Sequence, residues 1–132
     1  MTLDYVKKIF LIDAAACALT FGSGVFATQM IAADTGLSPF IVAEAGWICL
    51  GAALLWGWLG TRAQPPIRIC WLAIALNIGW IAASIGVFEL NYASLTTLGR
   101  ILVPLQAAGV LMLVALEIMG VRQMSRQRPA SA

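Results

Sequence analysis

Four long apolar stretches, residues 8–33, 39–60, 67–88 and 97–121, take up most of this 132-residue chain. The hydrocarbon core of a bilayer is about 30 Å thick, and a helix needs roughly 20 mostly apolar residues to cross it. Each stretch meets that requirement, and the connections between them are too short to hold a separate soluble domain. Composition agrees: 61% of residues are hydrophobic and 11% charged, with a mean hydropathy of +0.92. Soluble domains run at about 45–50% apolar and about 25% charged. The expected fold is all-α, a membrane-embedded antiparallel four-helix bundle. Residues 1–122 form the membrane domain, and residues 123–132 form a basic flexible tail.

The net charge of +2 matters less than where the charges lie. Lys7 and Lys8 precede the first span, Arg62 and Arg68 flank the second connection, and Arg122, Arg126 and Arg128 follow the last span. The opposite connections carry Asp34, Glu44 and Glu89, with Arg100 as their one basic neighbour. Basic residues are retained on the cytoplasmic side. Both termini are therefore expected in the cytoplasm of a multi-pass protein of the bacterial inner membrane. So lopsided a bias argues against dual topology. The first stretch is longer than the 7–15 residues or so of a signal-peptide core, so no cleavage is expected there.

Turn chemistry divides the spans. Ser38-Pro39 reads as an N-cap followed by the first helical residue. Gln64-Pro65-Pro66 ends the second span, because consecutive prolines cannot continue a helix. Glu89 to Tyr92 forms the next turn, and Thr96 or Thr97 caps the last span. At the start of the chain, Thr2 is a candidate cap for the first helix. The Gly22-Ser23-Gly24 run would permit a bend, and the small residues of that span allow close backbone approach. Trp47, Trp56 and Trp58 bracket the second span, and Trp58 and Trp71 suit an interfacial aromatic belt.

Polar residues inside the spans are the candidate site, and counting depth from the expected span ends sorts them into three layers. Outermost are Glu44, Glu89 and Arg100. A cation in the first turn of a helix opposes the macrodipole, so Arg100 is expected to pair with one of the carboxylates. The middle layer is Asn77 and Gln106, two amides that seek each other in hydrocarbon, with Trp80 as a wall. The expectation here is an interhelical bond, or else a small-ligand pocket. The inner layer is Asp13 and Glu117, which either snorkel toward Lys7, Lys8, Arg62 or Arg68, or face each other and share a proton.

The remaining chemistry is sparse. The chain has no histidine, and Cys17, Cys49 and Cys70 stand at no metal-ligand or redox spacing. They read as small apolar packers. No hydrolase, zincin, nucleotide-binding or dinucleotide fingerprint is present. The expectation is therefore no catalytic residue, no metal, no cofactor and no nucleic-acid partner. Partners are membrane lipids, with self-association or a larger membrane complex likewise expected from the small-residue faces.

Asn77-x-x-Trp80, Leu95-Thr96-x-Leu98-Gly99-Arg100, Gln106-Ala107 and Glu117-x-x-Gly120-x-Arg122 resemble a group of small bacterial four-helix integral membrane proteins of uncharacterised function. The resemblance covers the latter half of the chain and implies an inner-membrane four-helix unit without implying an activity. A weaker similarity is to the small multidrug resistance transporters, whose first-helix acidic residue is matched by Asp13. The tail, the charge bias and the second-to-third helix pattern depart from theirs. Two functions are thus expected. One is a non-enzymatic membrane protein that binds a partner membrane protein or a lipidic small molecule. The other is a proton-coupled small-molecule transporter acting as an oligomer.

Overall fold

The computed structural model describes residues 2–128. Within them the chain is helical throughout, as α1 (Thr2–Phe26), α2 (Thr28–Thr35), α3 (Pro39–Thr61), α4 (Ile67–Asn91) and α5 (Thr97–Gln127). Four of these helices, α1, α3, α4 and α5, are long and apolar enough to cross a membrane. The shortest of them, α3, has 23 residues and so spans about 35 Å.

Local chemistry accounts for the boundaries. The Ser38 hydroxyl accepts the Ile41 N–H at 3.3 Å, with Pro39 as the first helical residue. Thr96 caps α5 by accepting the Gly99 N–H at 3.1 Å. Pro65 and Pro66 separate α3 from α4. The first span breaks at Ala27, three residues beyond the glycine-serine-glycine run, through which α1 continues unbroken. There Thr28 turns its hydroxyl back onto the Gly24 and Val25 carbonyls at 2.6 and 3.0 Å. The capping role of Thr2 falls on a side chain outside the described residues. Helix α5 runs unbroken past Pro104 and takes in residues 123–127 before ending at Gln127; residues 129–132 lie outside the described part.

The helices pair as two hairpins. α1 packs closely on α3, and α4 on α5; the pairs meet along α1 and α5, while α3 and α4 hardly touch. Close approach of α1 and α3 depends on two glycines. A Cβ at Gly24 would stand 3.0 Å from the Val42 carbonyl oxygen and 3.1 Å from the Gly46 Cα. The small residues at this crossing are thus used within the chain.

Each end of the bundle is tied. At the end carrying the termini, Val6, Phe10, Leu59, Cys70, Val121 and Met124 form a core drawn from all four long helices. At that end too, the Arg128 guanidinium donates to the Pro65 carbonyl at 3.0 Å. At the opposite end Gly36 closes α2 in the left-handed region, φ 78°. Beside it the Thr96 N–H donates to the Thr35 carbonyl at 3.0 Å and its hydroxyl to that of Asp34, fastening α2 to the start of α5.

Gly24→Val should force the α1–α3 crossing apart and destabilise the fold by about 1–3 kcal/mol. Gly22→Val, where no atom lies within 4 Å of the added Cβ, should be close to neutral. Denaturant unfolding in mixed micelles, followed by tryptophan fluorescence, measures both.

Candidate functional site

The polar centre of the bundle is one amide shared by two carboxyl groups. Asn77 on α4 donates from Nδ2 to Asp13 Oδ2 on α1 at 2.6 Å, and to Glu117 Oε2 and Oε1 on α5 at 3.3 and 3.4 Å. All three residues are buried, with exposures of 6%, 2% and 1% respectively. Because both carboxyl groups touch one nitrogen, they lie near each other. The two carboxyl groups are within hydrogen-bonding reach of each other, and the neutral Cys17 thiol stands 3.7 Å from Asp13 Oδ1.

Helix length explains why these three meet. Asn77 lies ten residues from the start of α4, Asp13 eleven from the start of α1, and Glu117 ten from the end of α5. At about 1.5 Å per residue, all three stand about 15 Å from the same end of the bundle. Counting from residues 8 and 121 instead, as hydropathy alone suggests, makes Asp13 and Glu117 shallow and separates them from Asn77. The helices extend further than their apolar stretches, which moves both carboxyls to the level of the amide.

Gln106 lies one layer further along. Its Oε1 accepts the Trp80 indole N–H at 2.9 Å, while its Nε2 donates to Ser84 Oγ at 2.8 Å and to the Val103 carbonyl at 3.0 Å. The structure therefore pairs Gln106 with Trp80 and Ser84 rather than with Asn77, and it sets Asp13 and Glu117 facing Asn77 instead of the basic residues. Arg100 donates to the Tyr92 carbonyl at 3.0 Å and stacks on the Tyr92 ring at 4.1 Å. Glu44 and Glu89 are exposed, and the contacts that hold Arg100 are those with Tyr92.

Between the hairpins lies a half-open cavity of about 760 Å³. Its lining comes from the middle turns of the four long helices and is overwhelmingly apolar. Asp13, Asn77 and Trp56 line it at the level of the carboxyls, Trp80 and Gln106 one layer away, and small residues such as Ala16, Gly79, Ala83 and Gly109 complete the wall. The side on which α3 and α4 fail to meet leaves the hairpins parted.

Trp56 is the residue that sequence reasoning missed. In the sequence it is only one of three tryptophans that bracket the second span, beside Trp58, on which Arg62 stacks at 4.3 Å. Yet Trp56 is 1% exposed. Its position relative to Val42, Gly46 and Cys49, all buried on α3, follows helical periodicity and would have revealed an inward face. Its indole Nε1 lies beside Glu117 outside bonding geometry and has no hydrogen-bond partner.

No family model, curated protein or solved structure matches the chain.

Replacing Asn77 by Leu removes the donor common to two buried acceptors and should cost about 1–3 kcal/mol. Adding Glu117→Gln to Asn77→Leu should recover part of that loss, because one fewer acidic group is then buried without a donor. Unfolding of the single and double variants in mixed micelles checks the sign; further loss in the double variant would contradict this account of the cluster.

Proposed function

We propose that this is a non-enzymatic, multi-pass membrane protein whose inter-hairpin cavity binds a lipophilic small molecule. The observation that carries the reading is the cavity itself: about 760 Å³, apolar, half open, and bounded at one level by a buried polar cluster. Ligand sites have volumes of roughly 300–1,000 Å³ and combine apolar walls with a few convergent polar groups. Here the walls lie at the apolar mid-height of helices long enough to cross a bilayer. A ligand dissolved among acyl chains would reach the parted side of the bundle without passing through water. The charge bias orients the protein with both termini in the cytoplasm of a bacterial inner membrane.

Binding of a partner membrane protein is the other branch of the same reading. It is supported by the apolar exterior alone, which lipid covers equally well. Proton-coupled transport is favoured by one specific observation, the facing of Asp13 and Glu117. Two carboxylates buried together without a cation are too costly to be both ionised. On this reading the pair retains a proton, and a change in its surroundings would release it.

Gly79 lines the cavity, and nothing lies within 4 Å of a Cβ added there. Gly79→Leu should therefore leave the fold intact while filling the space, and should abolish retention of lipophilic molecules during purification in mild detergent, as read by extraction and mass spectrometry. Equal retention by wild type and variant would sink the cavity reading. For the transport branch, Asp13→Asn and Glu117→Gln should each abolish pH-dependent uptake into proteoliposomes. A simple binder would show no such uptake to lose.

A further inference from the structure

Two of the three cysteines meet in the cavity. Cys17 on α1 and Cys49 on α3 both line it, and their thiols are within hydrogen-bonding reach of each other. Thr20, one turn from Cys17 on the same face of α1, brings its hydroxyl within reach of Cys49. Helix packing fixes the pair. Cys49 lies one turn from Gly46, where α1 and α3 come nearly backbone to backbone. Cys17 is half-buried and Cys49 buried. Cys70 differs, being enclosed in the core toward the chain termini. No spacing along the chain reveals the pair, because α2 and a loop separate its members.

Two thiols in an apolar recess select a ligand by charge, geometry and valence. A bare cation is costly to bring into such surroundings. Structural zinc takes four ligands, and among the described residues no three His, Cys, Asp or Glu side chains are grouped to hold a metal. Copper(I) and mercury(II), when bound by two sulfurs, set them on opposite sides, farther apart than thiols that bond each other. Trivalent arsenic instead makes three bonds at nearly right angles. It bridges two adjacent sulfurs and keeps one bond for an organic group.

We propose that Cys17 and Cys49 form a dithiol site for lipid-soluble organoarsenic(III) compounds, with arsenic bridging the sulfurs and its aryl or alkyl group lying in the cavity. This rests on the cavity reading above and names the chemistry of its ligand. The compound arrives as an uncharged arsonous acid, with two hydroxyls and one organic group on arsenic. The half-buried Cys17 thiol displaces the first hydroxyl and Cys49 the second. Two As–O bonds break and two As–S bonds form, the thiol hydrogens leave with the hydroxyls as water, and arsenic keeps its oxidation state. The product is uncharged, which suits an apolar wall. Space for the organic group is at hand: Gly51 and Gly109 line the cavity, and nothing stands within 4 Å of a Cβ added at either. Arsenite, with a third hydroxyl in place of the organic group, would leave that hydroxyl in apolar space.

The test uses the full chain, reduced under nitrogen in mild detergent, with phenylarsine oxide and arsenite as probes. Native mass spectrometry counts the adduct, and alkylation by maleimide in dodecyl sulfate counts the remaining thiols. One phenylarsenic group per chain is expected, with two thiols fewer to alkylate. Cys17→Ala and Cys49→Ala should each weaken retention about a hundred-fold, because the second bond is lost; Cys70→Ala should bind as wild type does. Phenylarsine oxide should bind about ten-fold more tightly than arsenite, and Gly51→Leu should remove that advantage. Equal retention by wild type and by either of the Cys17 and Cys49 variants, or loss of one thiol only, would overturn the dithiol site and leave the cavity standing. Equal binding of the two probes, or a Gly51→Leu chain that keeps the advantage, would overturn the seat of the organic group and the cavity reading with it.

Discussion

The arrangement of this bundle depends on one amide. Asn77 is the meeting point of three helices, because its nitrogen donates both to Asp13 on α1 and to Glu117 on α5. In an apolar interior a carboxyl group without a donor is expensive, and water is not at hand to supply one. The hairpin of α4 and α5 is thereby tied to α1 at a fixed level. The hydrophobic core lies on one side of that tie, toward the chain termini, and the cavity extends on the other. Dense packing below and parted hairpins above follow from where the polar cluster sits.

Packing within each hairpin and packing between them obey different rules. α1 and α3 approach through Gly24 and Gly46, where backbone meets backbone and dispersion does the holding. Between hairpins, specific polar contacts act at two heights: the Asn77 cluster, and the Thr96 bonds to Asp34 and Thr35 at the far end. α3 and α4 have neither a glycine crossing nor a polar tie, and these are the helices that part. The opening is thus a consequence of which residues were placed where, and the apolar character of its walls suits it to acyl chains rather than water.

Much of the fold was legible in the sequence. Four spans, their order, the Ser38-Pro39 start, the Pro65-Pro66 stop and the Thr96 cap all rest on local chemistry that a single segment carries by itself. The site was legible only in part. Asp13, Asn77, Trp80, Gln106 and Glu117 stand out as polar or aromatic residues in apolar runs, but their partners depend on depth. Hydropathy marks only the ends of the apolar stretches, while α1 and α5 each extend about a turn and a half beyond them through residues that are polar yet helical. An error of that size exchanges one layer for the next. Arg100 escaped for another reason: at an exposed helix start, a carbonyl and an aromatic face serve a guanidinium well enough that no carboxylate is needed. Trp56 was hidden among the tryptophans that bracket its span, and only its spacing from Val42, Gly46 and Cys49 marks it as inward-facing.

The two ties between hairpins also bear on the choice between binding and transport. Alternating access requires one part of the molecule to rock against another and to expose a site first on one side and then on the other. Here the natural rigid parts are the α1–α3 and α4–α5 hairpins, and the surface on which they would rock runs along α1 and α5. The Asn77 cluster and the Thr96 bonds both cross between those parts, at different heights, so motion about either one stretches the other. Rocking would have to break hydrogen bonds to buried carboxyls in a medium with no water to replace them. A ligand entering sideways between α3 and α4 breaks neither tie. The two ties therefore oppose the rocking that carrying a ligand would need, and the facing carboxyls have a structural role of their own: with Asn77 between them, they fasten the hairpins together.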